Sequence, residues 1–169
     1  MVRAANVAPA TLSEKSLALG ETVERDVRFA LRKPCAACPY SRTTTPGSLG
    51  GSDPSVYVGQ SLGPFWLPCH CSTDYSDPEW KQDTSKPQCA GAAMFRDAIG
   101  VAGLMPPALH RLKADTSLVF SSHAELLAYH RQIPLEEAQK QLRMAPPELL
   151  LELEMLKLNQ KGWVKVASR

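Results

Sequence analysis

Cysteine is missing from most of this chain: residues 1–34 and 90–169 have none, and all five lie between Cys35 and Cys89. Cysteines acting as small core hydrophobes would be scattered, so this restriction points to a site. Other absences narrow the class. No run approaches the about 18 consecutive apolar residues of a membrane span, and no membrane association is expected. The opening MVRAANVAPATLSEK lacks the apolar stretch of a secretory leader. Five is also an odd number for a disulfide framework, so a reduced, intracellular setting is the expectation. The formal charge of +2 is far below the basic excess of a protein that grips many phosphates. No histidine precedes Cys35, which removes the upstream His-x-Glu that a zinc deaminase sets beside its Pro-Cys-x-x-Cys. A turn-rich loop, not a βαβ unit, follows the Cys-x-x-Cys, against a thioredoxin-like oxidoreductase.

What is present reads as a metal centre. Cys35 and Cys38 have the two-residue gap at which a tight turn aims two thiolates at one ion, and Cys69-His70-Cys71 and Cys89 return by loops to complete the coordination. Two metals fit. Zinc takes four N/S ligands in a closed tetrahedron, which Cys35 and Cys38 with Cys69 and Cys71 supply, or with His70 and Cys89 as substitutes. A [4Fe–4S] cluster takes one close pair plus thiolates from distant loops, and Pro39 directly after Cys38 is a habit of such runs. Phe65, Trp66 and Leu67 stand ready as an apolar shield for a cluster. The expectation is a [4Fe–4S] cluster on Cys35, Cys38, Cys69 and Cys89, with Zn2+ as the alternative and His70 and Cys71 in reserve.

The series Pro34-Cys35-Ala36-Ala37-Cys38-Pro39-Tyr40, Pro46-Gly47, Gly50-Gly51, Pro68-Cys69-His70 and Cys89-Ala90-Gly91-Ala92 resembles a family of small proteins of bacteriophages and prophages. The matching positions are Cys35, Cys38, Cys69, His70 and Cys89; Cys71 is outside the pattern, and Arg42 stands where the family carries a basic residue. The likeness covers about residues 30–100, with an echo in Leu118-Val119-Phe120, Glu125-Leu126-Leu127 and His130. It implies a metal or cluster site and a phage or prophage setting, in the host cytoplasm or the virion, and leaves the activity open.

The organisation expected is α+β: a flexible arm over 1–20, a Cys-ligated domain over 21–115 with a few short strands, and a helical subdomain over 116–169. Val23, Val27, Phe29 and Leu31 alternate with Glu24, Asp26 and Arg28 over Thr22–Leu31, the pattern of a half-buried strand, and Ser117–Phe120 reads as a second. Ser52 or Asp53 caps a short helix from Pro54. Cys89 opens a helix that ends at Gly100, and its dipole favours a thiolate at that end. Ser122-His123-Ala124-Glu125 is a capping box for a helix through about His130. Pro134 and Pro146-Pro147 open two more, to about Arg143 and to Gly162.

Arg25, Arg28, Arg32, Lys33 and Arg42 cluster beside the thiolates, either as a phosphate-contacting rim or as counter-charge. The three C-terminal helices with Trp163-Val164-Lys165-Val166 resemble a winged helix-turn-helix. Yet the last is leucine on most sides (Leu149, Leu150, Leu151, Leu153, Leu156), which suits core packing, a protein partner or self-association through 147–161 better than DNA reading. His110, His123 and His130 have no ligand spacing and read as ordinary helix or surface residues. No catalytic acid stands out, so the expected role is non-enzymatic: an accessory protein that binds another macromolecule, with an iron–sulfur enzyme or regulator acting on nucleic acid as the alternative.

Overall fold

Proline and capping side chains place the helices. The computed structural model describes residues 29, 31–63, 67–74, 76, 87–101 and 112–160. Helix α1, Pro54–Leu62, starts where Asp53 Oδ1 accepts the Ser55 N–H at 2.8 Å, with proline in its first turn. Helix α2, Ala90–Ala98, has Cys89 as its N-cap and is followed by Gly100 in the left-handed region at φ +76°. Helix α3, His123–Arg131, is capped by Ser122 Oγ, which accepts from the Glu125 N–H at 3.1 Å. The Glu125 carboxylate reaches one residue further back than in the usual box, to the Ser121 N–H at 2.8 Å. Helices α4, Leu135–Met144, and α5, Pro147–Gln160, each follow a proline.

The α+β expectation is overturned. The described residues carry five helices, 49% helix and no strand. What stood for strands are isolated bridges, Ser41 with Val119 and Gln88 with both Pro68 and Phe29. At Ser41 the pairing stops after the Arg42 N–H to Leu118 carbonyl and Phe120 N–H to Tyr40 carbonyl bonds. Cys38-Pro39 on one side and the turns from Thr43 to Pro46 on the other bend the partner away. Most of the expected strand Thr22–Leu31, the arm 1–20 and the wing residues 163–166 lie outside the described residues.

One apolar core joins residues from both halves of the chain: Cys35, Cys38, Tyr40, Val58 and Phe95 share it with Phe120, Leu126, Leu127 and Ala138. Phe95 stacks on Tyr40 with ring centroids 5.1 Å apart, and burying a side chain of that size is worth about 1.5–3 kcal/mol. Helix α5 lies on α1 at Gly59, where a Cβ would stand 2.6 Å from the Leu150 carbonyl oxygen. Only glycine allows that approach. Arg96 of α2, fully buried, ties α2 to α1 by donating to the carbonyls of Gln60, Ser61 and Gly63 at 3.0–3.1 Å, the end of α1 where acceptors lack helical partners. Among the described residues no helix is long and apolar enough to cross a membrane.

Candidate metal centre

Three short pieces of backbone deliver the cysteines. The Cys35–Cys38 step is a tight turn, with the Cys38 N–H on the Cys35 carbonyl at 3.0 Å. Cys69 caps a single 3-10 turn, His70–Ser72. Its carbonyl accepts from the Ser72 N–H, the Ser72 hydroxyl and the Thr73 hydroxyl, all within 3.0 Å, which locks the turn. Cys69 and Cys89 flank the Pro68–Gln88 bridge, held by the Cys69 N–H to Pro87 carbonyl and Cys89 N–H to Leu67 carbonyl bonds at 2.9 and 2.7 Å. A single residue pair therefore sets two widely separated cysteines side by side.

The sulfurs fall into a pair and a trio. Cys38 and Cys89 Sγ are 3.7 Å apart, and Cys35, Cys69 and Cys71 offer sulfurs all within 4.8 Å of one another. Cys35 links the groups electrostatically, its acidity depending first on Cys38 and then on Cys71. Cys35, Cys38, Cys69 and Cys89 are buried and Cys71 is exposed; all five are free thiols. Among the described residues the sulfurs that meet closely enough to hold one ion are thus those of Cys35, Cys69 and the reserve Cys71, with Cys38 and Cys89 as a neighbouring pair. His70 is half-buried, and burial holds its pKa down.

Charge is distributed unevenly over the cluster. The Cys38 thiol and, secondarily, that of Cys71 hold Cys35 down to about 5. Cys89 is also lowered, first by the Cys38 thiol and then by the Ala92 N–H, which lies 3.4 Å from its sulfur at the start of α2. Cys38 is raised well above the usual thiol range by those same two bonds, and burial pushes Cys69 up to about 12. Protons shared among crowded thiols are what a cation displaces on binding.

Two features fit a metal here. At Gly91 a Cβ would stand 2.2 Å from Cys38 Sγ, so the first turn of α2 is shaped to admit that sulfur. Gln88, next to Cys89, is fully buried with neither amide atom hydrogen-bonded. An orphaned buried amide costs roughly 1–3 kcal/mol per group and asks for an ion, thiolate or water nearby. The cysteine cluster can therefore bind a metal.

The other sequence candidates fall elsewhere. Arg42 is a structural tie: Nη2 meets Glu125 Oε2 at 2.6 Å, Nε donates to the Thr116 and Val119 carbonyls, and the guanidinium lies 5.4 Å from the Phe120 ring centroid. Arg32 and Lys33 are exposed, while Arg25, Arg28, Phe65, Trp66 and His110 lie outside the described residues. His130 is no surface residue: it is buried, with Nδ1 on the Gly47 N–H and Nε2 on the Pro39 carbonyl. Nothing in the local sequence marks this role of His130, nor those of Arg96 and Gln88. Comparison of the chain with protein-family models, with curated proteins and with solved structures returns no match.

Proposed function

We propose that the chain binds one tetrahedral metal ion, zinc in preference to the [4Fe–4S] cluster expected from spacing, through Cys35, Cys38, Cys69 and Cys89, and that the centre is structural. The observation that carries this reading is the 3.7 Å between Cys38 and Cys89 sulfurs. With Zn–S bonds of about 2.3 Å, the edge of a tetrahedral site is about 3.8 Å. A cubane interposes four irons and spreads its thiolates further apart. The structural role follows from the backbone, since the segments around the cysteines pair through isolated bridges and the ion would supply the cross-link that ladders do not.

The phage or prophage setting rests on the resemblance of the cysteine pattern alone. Within it the protein acts by binding another macromolecule, and a protein is favoured over nucleic acid. Arg42 has its charge met by Glu125, whereas α5 exposes Leu149, Leu153 and Leu156.

Anaerobic purification followed by metal analysis and a visible spectrum tests the centre. A colourless protein with one zinc per chain is expected; a brown protein with iron and sulfide and a broad visible band replaces zinc with the cubane. Cys35→Ser and Cys38→Ser should lose the metal and Cys71→Ser should keep it. Full metal content in Cys35→Ser overturns the ligand set.

A further inference from the structure

A cavity of about 480 Å³ opens beside the cysteines. Its walls are the Cys-Pro turn at Pro39 and Tyr40, the 48–52 loop, the outer side of α1 at Val56, Tyr57 and Gln60, and the Leu67–Pro68 strip; Cys89 and His70 form its floor against the metal centre. The volume falls within the roughly 300–1,000 Å³ of sites that hold small molecules.

The walls are preformed. Tyr40 Oη donates to the Tyr57 carbonyl at 3.3 Å and Tyr57 Oη to the Leu49 carbonyl at 3.1 Å. The two rings meet edge to face at 6.1 Å and 86°. An occupant would therefore meet aromatic surface that needs no further ordering, which removes part of the entropic cost of binding. Among the described residues that line the cavity there is no Asp, Glu, Lys or Arg. An anionic ligand would lose its hydration and find no lysine or arginine among these residues. Apart from Cys89 and His70 on the floor, the polar groups at hand are neutral: the Gln60 amide and the hydroxyls of Ser48 and Ser52.

We propose that this cavity is a binding site for an uncharged small molecule with a flat aromatic ring, seated against Tyr57 beside the edge of Tyr40 and against the wall it shares with the metal centre. The site goes beyond the structural role proposed above and does not depend on which metal the cysteines hold.

Two fluorescent probes with one skeleton test it on the purified, metal-loaded full chain: N-phenyl-1-naphthylamine, which is neutral, and its sulfonated counterpart 8-anilinonaphthalene-1-sulfonate. The neutral probe should bind saturably, one per chain, at least about tenfold more tightly than the anion. Val56→Trp fills the cavity from α1, and Ser48→Trp blocks it from an exposed turn where folding is not at risk. Either should weaken the neutral probe by about tenfold or more with metal content and melting temperature unchanged. Leu153→Ser, on the far face of α5, should leave binding intact. Equal affinity for both probes, no saturable binding, undiminished binding in Ser48→Trp, or loss of binding in Leu153→Ser would each overturn the proposal. Metal content in the same samples reports separately on the metal centre.

Discussion

His130 Nε2 donates to the carbonyl of Pro39, the residue after Cys38, at 2.8 Å, while its Nδ1 accepts the Gly47 N–H at 3.2 Å. Because the Gly47 N–H can only donate, the ring is the neutral Nε2–H tautomer. Helix α3 thereby pins two loops of the cysteine-bearing half, one at each ring nitrogen.

Acid should loosen this arrangement through the histidines. Burial lowers His130, and it holds His123, whose Nε2 lies 3.0 Å from Ser61 Oγ, down to about 4. An unfolded histidine titrates near 6.5. Between those values the unfolded chain binds protons that the folded one refuses, so the stability contribution is complete above about pH 6.5 and is lost as pH falls towards 4. The slope reaches on the order of 1.4 kcal/mol per pH unit per residue. Urea midpoints at pH 7 and pH 5 should differ for the native chain and differ less for His123→Gln; equal differences would reject His123 as a source.

Replacing Gly91 should cost the metal, and replacing Gly100 should not. A Cβ at Gly91 would meet Cys38 Sγ at 2.2 Å, whereas nothing lies within 4 Å of one at Gly100, where only φ +76° opposes it. Gly91→Ala is expected to lose about 1–3 kcal/mol by overpacking and to purify with little metal. Gly100→Ala should lose about 1–2 kcal/mol with full metal content. Metal analysis of the two variants separates the effects.

Arg42 should prove a stability residue. Lysine cannot reproduce a guanidinium that serves a carboxylate, two carbonyls and a ring face at once. The ion pair is about one-third exposed on each side, so most of the loss comes from the carbonyl bonds and packing. Arg42→Lys is expected to cost about 1–2 kcal/mol. Thermal melts check this, and an unchanged midpoint would return Arg42 to the pool of surface cations.

Arg96→Met should be harsher. It strips the Gln60, Ser61 and Gly63 carbonyls of their donor at a fully buried position. With each orphaned acceptor costing about 1–3 kcal/mol, a loss of about 3 kcal/mol or more is expected. Circular dichroism should show it as a lower melting temperature of the whole chain, since this side chain ties α1 to α2 from within the core.

The helix starts were legible because their causes are local: Asp53, Cys89, Ser122, Pro134 and the Pro146-Pro147 pair each act within one turn of themselves. The gathering of cysteines was legible as spacing, but which sulfurs touch was not, because it depends on the Pro68–Gln88 bridge between distant segments. Arg42 read as a phosphate contact or a counter-charge to the thiolates for the same reason, its partner Glu125 being a whole subdomain away. Helix α5 shows the limit most clearly. Leucine on most sides left core packing and a partner surface both open, and the face turned to the core carries the buried Glu154 while Leu149, Leu153 and Leu156 stay exposed. The close approach at Gly59 and Leu150 chooses the buried face, and a residue's own hydrophobicity does not reveal that choice.

The Gly59 contact also imposes an order on synthesis. The cysteines and α1 are translated well before α5, and domains begin to fold from the N-terminal side as they emerge. Until residues 147–160 appear, the face of α1 that glycine leaves open has nothing to lie against it from α5. A nascent chain can hold all five thiols, yet α1 gains this packing only with the last described helix.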